Sequence, residues 1–236
     1  FSKIGSVPAS RKRVLKRYMF VDEGVPAVLP AVPPSKPNIH IKSVLISQVM
    51  PNNLCADIIE GQTHFDSHAN MVVLGKDCYV ISKVERYAEV SGWSPSCGKV
   101  DQVPIVDAII AHNVPRLNTI YLLIVRNALN VLDMEHNLFL PQIMREAEIE
   151  ANDTQKRQAK KVTRLHHTIT LPDGHLIDLQ LSGLFSYCNT AKPTPKQLQS
   201  ATEEQLVYVT PDTDDRNPDN PTYAEEEAHF VSQDGT

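Results

Sequence analysis

One stretch of the chain concentrates side chains able to move protons: Thr63-His64-Phe65-Asp66-Ser67-His68-Ala69-Asn70-Met71-Val72-Val73. Asp66 and Ser67 fall between two apolar segments, where a tight turn would join two strands. Such a turn can lift a carboxylate out of a barrel edge while the neighbouring hydroxyl bonds backbone groups and fixes the loop. A carboxylate held there can take a proton from water or pass one to a substrate. The same residues also suit an ordinary Asx turn with no chemistry. Other candidates are looser. His64, His68 and His112 could ligate a metal, but their spacing is that of no known ligand set, and separate structural or exposed histidines explain them as well. Asp107, inside an apolar run, is either a second carboxylate or a residue that faces solvent or bonds backbone at a sheet edge.

The elements that must position Asp66 are short and β-branched. From about Leu54, the segments His64-Phe65, Met71–Leu74, Cys78–Ser82, Tyr87–Val90, Val103–Ile110 and Thr119–Leu132 alternate with Gly, Asn, Pro or charged breaks. That spacing predicts a barrel or sandwich, not βαβ units. The 119–132 run is expected to bend near Arg126-Asn127 and divide into two strands. Pro141 suits the first turn of a helix, and Ile143, Ala147 and Ile149 can share one face of it. Thr168–Leu171, Pro172-Asp173-Gly174 and His175–Leu181 read as a hairpin around an Asp-Gly turn.

The outer parts of the chain differ in composition. The first 20 residues carry six cations and no acid, whereas residues 201–236 carry ten acids against Arg216 alone, within a net charge of -5. Blocks of like charge usually mark solvated arms. The basic stretches at 11–17 and 156–164 could touch phosphates weakly, but they lack interleaved aromatics for base stacking. Five prolines between Gly24 and Pro37 predict a semi-rigid linker. From Lys192 the polar, acidic composition predicts a mostly disordered tail. The chain begins at Phe1 and not Met, so an internal slice of a longer polypeptide or a processed product is expected. Its apolar runs fall far below the ~20 residues of a membrane helix. Cys55, Cys78, Cys97 and Cys188 form no Cys-x-x-Cys, so reduced thiols of a cytoplasmic or nuclear protein are expected.

Asp66-Ser67-x-Ala69 resembles the active-site loop of retropepsin-like aspartic proteases, whose pattern is Asp-Ser/Thr-Gly-Ala. The run Arg126-Asn127-Ala128-Leu129-Asn130-Val131-Leu132-Asp133-Met134-Glu135-His136-Asn137-Leu138 is similar to the segment that follows in copia-type retrotransposon Pol polyproteins. The similarity is to elements of diatoms and related algae. It continues through Pro141–Ala147, Leu184-Phe185-Ser186-Tyr187 and Thr210-Pro211-Asp212, covering roughly residues 38–230.

The resemblance implies an all-β fold, a small closed retropepsin-like barrel with one short C-terminal helix and extended or disordered arms. On that reading residues 1–51 are a basic and Pro-rich linker and 52–150 the barrel. Residues 151–190 are a basic stretch and hairpin extension, and 191–236 the acidic tail. It also implies an aspartic endopeptidase for polyprotein processing, in the cytoplasm, the nucleus or virus-like particles. No cofactor or metal is implied, and the partners are a peptide substrate and a second copy of the chain. Two carboxylates are required, one taking a proton from water and the other giving one to the carbonyl, and at ~3 Å they share a proton. Asp66-Ser67 is the only apolar-flanked Asp-Ser/Thr turn, because Asp153-Thr154 and Asp212-Thr213 sit in polar segments. Asp66 must therefore meet its mate across a two-fold axis. Ser67, His68 and Ala69 complete the loop. His68 departs from the family pattern, which has Gly there, in a replacement shared with the diatom-like elements that the chain resembles. A non-catalytic barrel, kept as an assembly or interaction module or as a decayed transposon remnant, is the competing expectation.

Overall fold

Apolar β-branched segments alternate with turn residues from Gly61 to Tyr208, and most of them become strands. A computed structural model describes residues 39–42, 61–67, 69–91 and 99–211, together with Thr222, Glu225 and Ala228. The basic arm 1–20, the proline-rich stretch 24–37 and nearly all of the chain beyond 211 lie outside the described residues, as do His68, Cys55 and Cys97.

The described chain is mostly β-strand with two short helices. The strands are β1 (Ile39–Lys42), β2 (Gly61–Phe65), β3 (Val73–Leu74), β4 (Tyr79–Ser91), β5 (Lys99–Val114), β6 (Thr119–Asn130) and β7 (His136–Phe139). After helix α1 (Pro141–Glu146) come β8 (Glu150–Asn152), β9 (Thr168–Thr170), β10 (Leu176–Asp178), β11 (Gln180–Ser182) and β12 (Phe185–Thr190). Helix α2 (Pro195–Ser200) and β13 (Leu206–Tyr208) follow. Ten strands form one sheet in the order β1-β4-β5-β6-β3-β7-β2-β12-β11, with β13 also on β6, and β10-β9-β8 form a second sheet.

β6 is the centre. Its residues from Tyr121 to Leu129 are all buried, as expected for a strand covered on both faces. It runs unbroken through Arg126-Asn127, so the expected division into two strands is corrected to one strand with a kink. Asn127 has φ +52 there, opposite a register shift between Val106 and Ala108 on β5. The Asn127 N–H donates to Asp107 Oδ1 at 3.0 Å, and the Ser82 hydroxyl donates to Oδ2 at 3.1 Å. Asp107 thus supplies the acceptor that the interrupted ladder removes, and Asn is among the residues that tolerate a positive φ. Cys78–Ser82 and Tyr87–Val90, expected as separate segments, belong largely to one long strand, β4, whose register against β5 shifts three times.

The helix at Pro141 forms but ends at Glu146, so Ala147 and Ile149, expected on its face, are buried beyond it. The hairpin at Pro172-Asp173-Gly174 forms over β9 and β10, while the rest of its expected second strand becomes β11 of the larger sheet. Pro141 opens α1, and Ile143 and Met144 are buried. Gly174 has φ +84 in the turn between β9 and β10, the left-handed conformation that favours glycine. That turn is tied to the centre: the Tyr121 hydroxyl donates to Asp173 Oδ2 at 2.6 Å, and the Tyr121 ring stacks on His175.

The sheet does not respect the boundary expected at 150. β12 pairs antiparallel with β2, from Ser186 opposite Phe65 to Thr190 opposite Gly61. Beyond it, Ala191 exchanges backbone hydrogen bonds of 2.9 and 2.8 Å with Ala111 of β5. The disordered tail expected from 191 is likewise corrected for residues 191–211. Thr194 and Gln197 form a reciprocal cap on α2, β13 pairs parallel with β6, and Val207 and Val209 are buried. The linker expected over 1–51 contains β1, which pairs parallel with β4.

Because β12 lies directly against β2, a chain ending at Glu150 leaves β2 without its neighbour and uncovers Thr63 and the core beside it. Such a truncation is expected to lose cooperative thermal unfolding, followed by circular dichroism, whereas a chain ending at Pro211 keeps it.

Candidate active site

The burial of β2 alternates, with Gly61, Thr63 and Phe65 inward and Gln62 and His64 outward. Asp66 follows at the end of the strand, where its N–H donates to Phe139 O at 2.9 Å. β2 and β7 run parallel, so Asp66 lies level with the end of β7, where α1 is about to start. Asp66 is 6% exposed and is the only buried Asp or Glu among the described residues. Ser67 is exposed and Ala69 buried, while His68 lies outside the described residues. The chain then returns through Met71–Leu74, with Leu129 N–H donating to Val72 O and Val131 N–H to Leu74 O, both at 2.9 Å.

A buried polar chain underlies this loop. Thr63 and Thr190 share a hydroxyl hydrogen bond of 2.8 Å. Asn137 Nδ2 donates to Thr63 Oγ1 at 3.3 Å, and Asn137 Oδ1 accepts from the Gly75 N–H at 2.9 Å. Gly75 has no room for a side chain, since a Cβ there would lie 2.3 Å from Met134 O. β12, β2, β7 and the turn after β3 are therefore linked through one amide. Sequence reasoning did not identify Thr63 and Thr190 as parts of the site. The alternation of Gly61–Phe65 could have done so, because it places Thr63 on the same inward face as Phe65.

The remaining candidates separate from Asp66. Asp107 serves the bulge described above. His64 lies on the outer face, stacked 4.7 Å from the His136 ring and 5.7 Å from the Tyr187 ring, with Nε2 3.1 Å from Gln62 Oε1. His112 Nδ1 lies 2.9 Å from Asn189 O. No metal-ligating group of three or more His, Cys, Asp or Glu occurs among the described residues. Asp153 pairs with Arg145 at 3.0 Å. The basic stretch 156–164 is exposed at Lys156, Arg157, Lys160, Lys161 and Arg164, and Lys156 lies 3.9 Å from Asp178. Cys78 and Cys188 are free and buried, and burial pushes the Cys188 thiol up to about 12. No helix among the described residues is long and apolar enough to cross a membrane.

Comparison with known proteins gives no match to a family model, a curated protein or a solved structure.

The arrangement offers one buried carboxylate at the end of a strand, on a residue whose N–H is bonded to Phe139 O, with the Thr63–Asn137 network three residues back along β2. One carboxylate can accept a proton from water, but it cannot at the same moment donate one to a carbonyl. Asn137→Leu should leave the Gly75 N–H without its acceptor and cost about 1–3 kcal/mol in urea unfolding. A second expectation concerns acid. Burial, with the His136 imidazole adding to it, holds His64 down at about 4, below the usual 6.5. Burial also lowers His136, against the opposing pull of Glu135 and Asp77 and with Lys76 adding to the shift. The unfolded chain therefore binds more protons between pH ~6.5 and ~4, so stability is full above that window and falls through it on acidification. His64→Phe keeps an aromatic ring but no titration. Its Tm is expected to drop less than wild type between pH 7 and 4.5.

Proposed function

We propose that the chain is a retropepsin-like aspartic endopeptidase, the protease segment of a copia-type Pol polyprotein, acting as a homodimer. The observation that carries this reading is Asp66: the only buried acid among the described residues sits in the Asp-Ser-x-Ala turn, at the end of two parallel strands. The hydrogen bonds between Ala111 and Ala191 support a barrel, since they bring the end of β12 back to β5.

On this reading, Asp66 of one copy takes a proton from water as the second copy's Asp66 gives one to the peptide carbonyl oxygen. Water adds to the carbonyl carbon to form a tetrahedral diol. Its collapse breaks the C–N bond, with a proton passing to the leaving amine. Two neighbouring carboxylates with one shared proton can do both halves. Ser67 holds the loop, Ala69 packs beneath it, and His68 stands where the family has Gly. The substrate is a peptide of the polyprotein, and the step needs no metal or cofactor.

Asp66→Asn keeps the shape of the side chain but cannot exchange the proton, so peptide cleavage is expected to fall by at least about 10³-fold. The assay is a peptide-library digest with the purified chain, with folding checked by circular dichroism. Equal cleavage by wild type and Asp66→Asn would remove Asp66 from the chemistry.

A further inference from the structure

The loop between β8 and β9 carries Lys156, Arg157, Lys160, Lys161 and Arg164, all exposed, and no acid from Thr154 to Pro172. Lys160, Lys161 and Arg164 make no ion pair among the described residues. The same loop exposes Val162, at 59%, and Leu165, at 43%. Its own bonds order it: Arg157 Nε donates to Gln155 Oε1 at 2.7 Å, and the Thr163 N–H donates to His166 Nδ1 at 3.0 Å.

Both ends of the loop fasten to the turn that joins β11 to β12. Gln155 Nε2 donates to Leu184 O at 3.1 Å, and His167 Nε2 and Ser186 Oγ share a bond of 2.9 Å. Gln155, His167 and Ser186 are buried. The cations thus stand beside a second apolar group: Leu184, 72% exposed at the apex of the turn, with Leu181 and Phe185 next to it. Of the nine large hydrophobic side chains exposed among the described residues, these two segments hold five. Hydrophobes scattered singly over a surface are ordinary, but a concentration of them beside polar and charged groups marks an interaction surface.

We propose that this loop and turn form a docking surface for an anionic lipid bilayer. Lys160, Lys161 and Arg164 meet the headgroups, while Leu184, Val162 and Leu165 enter the boundary with the acyl chains. The mixture of side chains selects this partner. A nucleic acid would use the cations, but its bases need aromatic faces, and it gives branched aliphatic side chains nothing to bury against. Phe185 is the one aromatic residue of the two segments. A bound peptide needs a groove or a strand edge. Leu184 instead projects from the apex of a turn, a convex point around which a fluid surface can close. The chain would lie on the bilayer without crossing it, and the inference stands apart from the protease reading.

The test is co-sedimentation of the full chain with vesicles of phosphatidylcholine alone or of an equal mixture with phosphatidylserine. Wild type is expected to bind the mixed vesicles and not the zwitterionic ones, and to be released as salt screens the charges. At about fivefold per cation, Lys160→Gln, Lys161→Gln and Arg164→Gln together should weaken binding roughly 100-fold. Leu184→Ser and Val162→Ser should each weaken it at least about fivefold. Leu132, an exposed leucine that follows β6, lies outside the basic segment, and Leu132→Ser should bind as wild type. All the altered side chains are exposed, and circular dichroism checks that each variant keeps the wild-type fold. No binding by wild type overturns the proposal. So does equal binding by the triple variant, which would assign vesicle binding to other cations, such as those of residues 1–20. Loss in the triple variant with both serine variants unchanged overturns the lipid assignment. A single-stranded oligonucleotide bound by wild type but not by the triple variant would then assign the surface to nucleic acid.

Discussion

The Asn137 side chain is the contact on which the site's architecture depends. β2 and β7 are parallel, and parallel neighbours cannot be joined by a tight turn. The chain from Asp66 to Glu135, including the long β4–β5–β6 meander, forms the connection between them. β3 is laid between β7 and β6 on the way. Asn137 bonds β2 through Thr63 and the turn after β3 through Gly75. One amide thus fixes the strand before Asp66 relative to the turn that follows the loop. A purely apolar residue there could fill the space but could not set that register.

Electrostatics acts on the same place. Burying a carboxylate costs free energy unless its charge is compensated or hydrogen-bonded. Under the proposed two-fold, two buried carboxylates would share one proton, leaving one negative charge for two groups. The cost of burial then favours the state that can pass a proton. On the outer face of β2, the desolvated His64 works in the opposite direction, since acid charges it against the stacked His136 imidazole. Acid thus strains the strand that leads into Asp66.

Much of the frame was legible in the residues. Pro141, the Asp-Gly turn and the β-branched runs each specify local geometry, and helix, hairpin and most of the strands follow. The Asp66 turn was legible for the same reason, as a polar pair bracketed by apolar strands. What could not be read was set by distant pairings. Asn127 and Asp107 looked like interruptions of two runs, but they satisfy one another across a bulge and let β6 continue. Thr190 gives no local sign that it meets Thr63, 127 residues away. Residues 191–211 are polar in composition, yet Val207 and Val209 suffice to anchor a strand once β6 offers an edge.

The segment after α1 ties these points together. β12 covers β2, Thr190 completes the polar chain below Asp66, and Ala191 brings the sheet back to β5. The turn that starts β12 is also the exposed apolar tip beside the Asp66 loop. Strand alternation allows both roles in one element. Ser186, Cys188 and Thr190 point inward and are buried, while Phe185 and the turn before it face outward. A change on the inward set should act on folding, whereas one at the exposed tip should leave the core packing intact.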